Sequence, residues 1–570
     1  MSSRLPIFYN IHLIIIELER VLENFPMRCT TLLYTILISS FSYLIANSIT
    51  VIPPGPVTDK SVLEIRVNLS NSTQYLETLT LKVFLDTISE TNLVADSTQI
   101  ELISGESELI SFWVETRDIV PGNHLIIVET KDTYNNRSIQ QWPIEIISEE
   151  TAAVTRLSGG WIDPGVLIEG WGYPRNRAVR PEDIRNAVDA MQRIGMSTII
   201  ITYVEYKVAF YPSNVLDFPY YGMDVIELIL DQAGKNGMHV FLGLGRGTDD
   251  LLLWEGLGDY DRIQRGIEFS TEVAQELWEL YGHHRSFYGW YLTHEANLIG
   301  LAANYYNPVA DFCHTFSPDK PVMIAPAGTP IISEWLLNTS KVDIFAYQDA
   351  VGAGYKDYRY TGDPEIRIAD LDSVFSYYSS LHQNTKKHIW TDLEIWRSNP
   401  QTGYTPFVPA PMEQIERQIA IEAKYVDFIT GYEFLSMMEP PESTLKLGGD
   451  GAVHLYNQYM SYYTSHYLSS ENIRIGKNID LKLKVYPNPF NSSTLIRINN
   501  PEQVRMEFFE IFDLLGRRIR IFDIAKNLDD QIVLIWNGKD NRGEEIAQGL
   551  YFGQLTSSAG ASTVKLLYLK

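Results

Sequence analysis

Between about residues 155 and 464 the chain alternates apolar runs of strand length with amphipathic stretches of helix length. Strands are predicted at 165–171, 197–206, 239–244, 287–294, 321–326, 342–348, 388–395 and 427–435. Helices are predicted at 181–194, 223–236, 261–282, 304–316, 332–339, 367–384, 411–425 and 452–464. Such alternation predicts a parallel sheet covered by helices, and eight units close most naturally into a (β/α)8 TIM barrel. An open doubly wound sheet is the alternative, but no Gly-x-Gly-x-x-Gly follows the first strand. The fold class is therefore α/β, with the barrel spanning 151–470.

The flanks carry a different period. Over 49–150, Leu63, Ile65, Val67 and Leu69 alternate with polar residues, as do Leu79, Leu81, Val83 and Leu85. Turn signals such as Pro121-Gly122-Asn123 separate later runs, which predicts an immunoglobulin-like β-sandwich with no chemistry of its own. Strand patterns return over 471–570. At the other end, Met27-Arg28-Cys29 precedes the apolar stretch Thr31 to Ala46 and then Asn47-Ser48. A basic start, a short apolar middle and small residues at its end describe a secretory signal peptide within 1–48, with Met27 as the better start. Sixteen residues are short for a spanning helix, so a membrane anchor is the weaker alternative and the mature chain is expected to have no integral span.

Charge and cysteine content narrow the partners. The 46 basic and 71 acidic side chains leave a formal charge of -25, which repels a polyphosphate, so no nucleic-acid partner is expected. Only Cys29 and Cys313 are present, and Cys29 lies in the leader, so neither a disulfide framework nor a cysteine metal cluster is expected. No His-Glu-x-x-His pair, phosphate loop or Gly-x-Ser-x-Gly elbow occurs, and no metal or other cofactor is expected.

Chemistry in such a barrel sits at the C-terminal ends of its strands. The fourth strand ends Trp290-Tyr291-Leu292-Thr293-His294-Glu295, and the seventh ends Trp390-Thr391-Asp392-Leu393-Glu394-Ile395-Trp396. If the aliphatic residues face the helices, Glu295 points into the mouth from one strand, and Trp390, Asp392 and Glu394 point inward from the other. Two carboxylates across one rim are what glycoside hydrolysis uses: one protonates the leaving oxygen, the other attacks the sugar carbon or activates water. The plainer alternative is that both only bind, or form ion pairs with Arg246 or Arg397. Further candidates to contact a carbohydrate are Glu169 and Trp171 at the first strand, Tyr203 at the second and Arg246 at the third. Others are His294, Gln348 and Asp349 at the sixth strand's end, Trp396, and Tyr432 with Glu433 at the eighth.

Three resemblances add to this reading. The run Tyr486-Pro487-Asn488-Pro489-Phe490-Asn491, with Gly516-Arg517-Arg518, Trp536-Asn537-Gly538-Lys539-Asp540 and Gly549-Leu550-Tyr551-Phe552, resembles the C-terminal sorting domain of the type nine secretion system. It implies secretion machinery as a partner and export through the periplasm to the surface or medium. Carboxylates on strands four and seven are similar in placement to the largest clan of retaining barrel glycosidases. That likeness implies Glu295 as general acid/base and Glu394 as nucleophile, although the clan usually has Asn where this chain has His294. Over about 160–465, Gly289-Trp290-Tyr291-Leu292 with Glu295, Asp343 to Ala346 leading to Gln348-Asp349-Ala350-Val351-Gly352, and Trp390 to Glu394 resemble an uncharacterised bacterial family of glycosidase-like barrels. The expectation is an exported glycoside hydrolase; the alternative is a non-catalytic surface carbohydrate-binding or adhesive protein.

Overall fold

The computed structural model describes residues 45–570, except 134, 148–155, 170–176, 246–257, 358, 400–406, 466–482, 500–505, 513–517, 525–530, 542, 544, 558–559 and 570. At its centre is a closed barrel of eight strands: β1 Gly159–Ile162, β2 Thr198–Ile201, β3 His239–Gly243, β4 Phe287–Tyr291, β5 Val322–Ile324, β6 Ile344–Gln348, β7 His388–Glu394 and β8 Phe428–Tyr432. All neighbours are parallel and in chain order, and β8 closes on β1 through Thr430↔Gly159 and Gly431↔Gly160. Closure explains the glycine at 159. A Cβ there would stand 3.1 Å from the Thr198 carbonyl and from the Thr430 methyl, so a side chain would press the seam apart.

The first strand lies earlier than the sequence pattern predicts. Residues 165–171 are expected to extend, but Val166–Glu169 is a short helix and the strand precedes it. Gly159-Gly160-Trp161-Ile162 is too short and glycine-rich to stand out beside Val166-Leu167-Ile168. The following helix, Pro181–Arg193, shows how local sequence builds the outer layer. Pro181 opens it, and the Asp183 carboxylate accepts the Arg180 N–H at 2.8 Å. Ile184, Ala187, Val188 and Met191 form the stripe that it buries against the sheet.

Side chains inside the barrel lie in layers. Trp161, Ile200, Phe241, Tyr291, Met323, Ala346, Trp390 and Phe428 form one buried apolar cluster, the floor of the barrel. The Trp161 indole N–H donates to Thr430 Oγ1 at 2.9 Å, tying β1 to β8 from within. Two residues further along the strands the inward positions turn polar: Asp163, Gln348, Asp392 and Thr430.

Below the floor sits the N-terminal module, a three-stranded and a five-stranded sheet around Val51, Leu63, Ile65, Val67, Leu79, Leu81, Val83, Ile126 and Val128. Its first strand, Ile45–Ile52, pairs antiparallel with Val62–Asn71. The leader expected over 1–48 lies, up to residue 44, outside the described residues, while Ile45–Ser48 already belong to this strand. Ile52, fully buried, joins the barrel's interior cluster, and Tyr288 donates to the Val51 carbonyl at 2.7 Å. Trp142 stacks on His239 at 4.9 Å, and Trp113 stacks on His388 at 5.2 Å. Buried Arg66 pairs with Asp343 at 2.7 Å and with Glu64 at 3.0 Å; Glu64 also meets His388 at 3.0 Å, and His314 meets Asp343 at 2.9 Å. Asp343 and His388 stand at the N-terminal ends of β6 and β7, so this ionic cluster clamps the module to the barrel's lower end.

Residues 464–570 form a second unit. Three antiparallel strands (Leu483–Tyr486, Thr494–Asn499, Gln531–Trp536) and four more (Arg518–Asp523, Met506–Phe512, Gly549–Ser557, Gly560–Tyr568) enclose Phe490, Ile496, Phe509, Ile511, Trp536, Leu555 and Leu566.

Candidate active site

The polar layer above the floor and the loops that follow it make the mouth. On β7, Ile389, Leu393 and Ile395 pack in the outer core and Trp390 joins the interior cluster, so by the pleat Asp392 and Glu394 share the face of Trp390. Trp390 is consumed by the floor, so it supports the site rather than lining it. Asp392 is 4% exposed and its Oδ1 meets no hydrogen-bond donor among the described residues. Burial, then the charges of Glu394, Asp349 and Glu295, hold its carboxyl well above the usual carboxylate range.

Glu394 is more elaborately held. Its Oε2 accepts the Ala353 N–H at 3.0 Å, with the Gly352 N–H also directed at the carboxylate. Gly352 must be glycine: a Cβ would come 2.2 Å from the Trp396 carbonyl and 3.0 Å from Glu394 Oε2. Burial and the Asp349 charge push the Glu394 carboxyl well up, while the two backbone donors and Arg367 oppose them. From β4, Trp290 and Leu292 face the helices and Tyr291 faces inward; Glu295, half-buried, lies within electrostatic reach of Asp392 and of Tyr432.

Opposite lies a phenolic corner that the sequence pattern does not assemble. Asp163, at the true end of β1, takes a hydroxyl from Tyr203 at Oδ1 and from Tyr432 at Oδ2, the latter at 3.0 Å. A first strand placed at 165–171 hides Asp163; the signal that could have found it is Trp161-Ile162-Asp163 just before the Pro164-Gly165 turn. Gln348, half-buried, stands in register with Asp392 across β6 and β7.

Several expected contact residues point elsewhere. His294 is buried with its ring edge-on to Tyr305 of the helix Ile299–His314, so it faces the outer layer instead of a sugar. Asp349 is fully buried, and protein donors engage both oxygens: Val351 N at 3.0 Å and Glu394 N at 3.2 Å on Oδ1, Gln418 Nε2 at 2.5 Å on Oδ2. Glu433 caps the helix Phe434–Met437, accepting from Leu435 N at 2.9 Å and Ser436 N at 2.8 Å. Burial pushes that carboxyl up to about 8 against the Ser436 hydrogen bonds. Trp396 continues the inward parity in sequence, but β7 has ended; it pairs with Pro409 and packs on Phe407 at 4.1 Å. Glu169 ends the short helix rather than a strand. Trp171 and Arg246 lie outside the described residues.

These features define a (β/α)8 barrel protein with an acidic, aromatic-floored mouth. Residues 157–445, just over half the chain, match the domain of unknown function DUF4434, and the protein belongs to that family. Residues 484–569 match the secretion system C-terminal sorting domain, which points to a secreted or cell-surface protein. No helix among the described residues is long and apolar enough to cross a membrane. No curated protein matches the chain. Among solved structures it is similar to a putative α-L-fucosidase from Bacteroides thetaiotaomicron, at 22% identity over 54% of this chain and 94% of that one, with a TM-score of 0.43. It is also similar to a putative β-galactosidase from Bacteroides fragilis (11% identity, 92% and 73% covered, TM-score 0.34). A third is β-glucuronidase 2 from Bacteroides uniformis (12% identity, 92% and 61% covered, TM-score 0.33).

Proposed function

We propose that the mouth is the active site of an exported glycoside hydrolase that cleaves an extracellular poly- or oligosaccharide with retention. What supports this reading is Asp392, whose carboxyl lies within electrostatic reach of both Glu295, which follows β4, and Glu394, at the end of β7. Glu394, fixed by two backbone N–H groups, is the nucleophile: its carboxylate attacks the anomeric carbon as the glycosidic bond breaks. Glu295, half-buried and open to water, donates the proton to the leaving oxygen and then takes one from the attacking water. Asp392, kept neutral by its surroundings, donates to a sugar hydroxyl, and Gln348 and Tyr432 complete the contact surface. The C-terminal unit addresses the chain to the secretion machinery, by way of the periplasm, and both flanking modules are of immunoglobulin type.

A second reading has one specific observation in its favour. Burial and Asp349 push the Glu394 carboxyl toward its neutral form, and a neutral acid binds hydroxyls but does not attack carbon. On that reading the protein holds carbohydrate without turnover. Screening the full chain against aryl glycosides and polysaccharides, with Glu394→Gln beside it, separates the two. The hydrolase reading expects turnover that falls by about 10³-fold or more in E394Q while sugar binding persists. Binding without hydrolysis by the unmodified protein supports the second reading, and an E394Q rate equal to wild type removes Glu394 from the chemistry.

A further inference from the structure

The helix Met412–Glu422 packs behind β7 and buries Gln414, Gln418 and Glu422, a polar stripe at four-residue spacing where an outer barrel helix ordinarily buries aliphatic side chains. Gln414 donates to Gln418 at 3.3 Å, and Gln418 donates to Asp349. Glu422 and Asp349 are both fully buried and within hydrogen-bonding reach of each other. Two touching carboxyls without water cannot both ionise, so at neutral pH they share a proton. Glu422 Oε2 accepts the Thr391 hydroxyl at 2.8 Å, and its Oε1 meets no donor among the described residues, which leaves it free to carry the shared proton.

Asp349 is the hub of this arrangement. Its Oδ1 accepts Val351 N, which shapes the turn that directs Gly352 N and Ala353 N toward the Glu394 carboxylate, and the same oxygen accepts Glu394's own N–H. Arg367, from the helix Pro364–His382, donates to the Asp349 carbonyl at 2.6 Å and is the cation beside the pair. Against the pair therefore stand Asp392 and Glu394 from β7, Gln418 from its own helix and Arg367 from the preceding one.

We propose that Glu422 is a positioning residue: by sharing one proton with Asp349 it lets Asp349 clip both the backbone of Glu394 and the turn whose N–H groups hold the Glu394 carboxylate. The proposal rests on the hydrolase reading only for what Glu394 then does, so its test begins without turnover. In infrared difference spectra of the full chain at pH 7, Glu422→Gln should remove one protonated-carboxyl band and no carboxylate band. Relative to E422Q, wild-type thermal stability should decline as pH rises above the ordinary glutamate value of 4.5, because only the wild-type group is forced to stay protonated. Loss of a carboxylate band, a pH-independent stability difference, or failure of E422Q to fold overturns the shared proton, since the amide keeps both shape and donor. If an aryl glycoside is hydrolysed, E422L should lose about tenfold more kcat than E422Q with KM moved less. Equal kcat losses overturn the positioning role. Absence of any turnover counts against the hydrolase reading alone, and the infrared bands then decide the shared proton by themselves.

Discussion

The two ends of the barrel bury carboxylates in opposite ways. At the lower end, burial of Glu64 and Asp343 is outweighed by Arg66, His388 and His314, which hold Glu64 at about 2 and Asp343 well below its ordinary value. At the upper end, Asp392, Glu394 and Glu422 are buried without comparable cations, and all three are pushed well up. The same fold thus uses its charge for adhesion below and leaves it unbalanced above. Unbalanced buried acids are costly unless paired or used, and in a barrel the upper rim is where chemistry is done.

The comparison can be broken first at the clamp. Arg66→Ala leaves Glu64 and Asp343 buried beside each other's charge and should cost about 3–5 kcal/mol, read from urea unfolding at neutral pH. A loss under about 1 kcal/mol would show that the lower cluster is not what joins the module to the barrel.

A pH series sharpens the contrast because the ends carry opposite signs. Glu64 is depressed from 4.5 to about 2, so its contribution is present above 4.5 and is lost as pH falls toward 2. Glu433 is raised from 4.5 to about 8, so its contribution is complete below 4.5 and is lost as pH climbs through 8. Glu64→Gln should therefore flatten the acid side of the stability curve, and Glu433→Gln the alkaline side; exchanged effects would refute the assignment. The smallest change is expected from Asp392→Asn. Because its surroundings push the Asp392 carboxyl toward the neutral form, exchanging it for an amide should alter stability by no more than about 1 kcal/mol at pH 7, with the variant gaining on wild type as pH rises. A large loss in D392N would mean that Asp392 is ionised and structurally bound.

Much of the barrel is legible because the pleat has a period of two. Ile389, Leu393 and Ile395 predict the facing of Trp390, Asp392 and Glu394 without a structure. The same rule, carried one residue past the strand end, turns Asp349 toward the helices: Phe345 and Tyr347 face outward, Ala346 inward, and Asp349 shares the outward parity. Glu433 and His294 look like contacts because they adjoin inward residues, whereas adjacency along a strand means the opposite face. The stripe Gln414, Gln418, Glu422 is visible as spacing, yet a polar stripe suggests a solvent-facing side until the packing is known. The lower clamp is not legible, because Arg66 and Asp343 are separated by 277 positions and no local period links them.

Ile52, seated under the aromatic floor, has a consequence for how such a chain can change over generations. The N-terminal module grips the barrel at the end remote from the upper loops, so insertions and exchanges among those loops leave the foundation untouched. Variation should be tolerated among the upper loops and purged around Ile52, where the module and the barrel floor share one core.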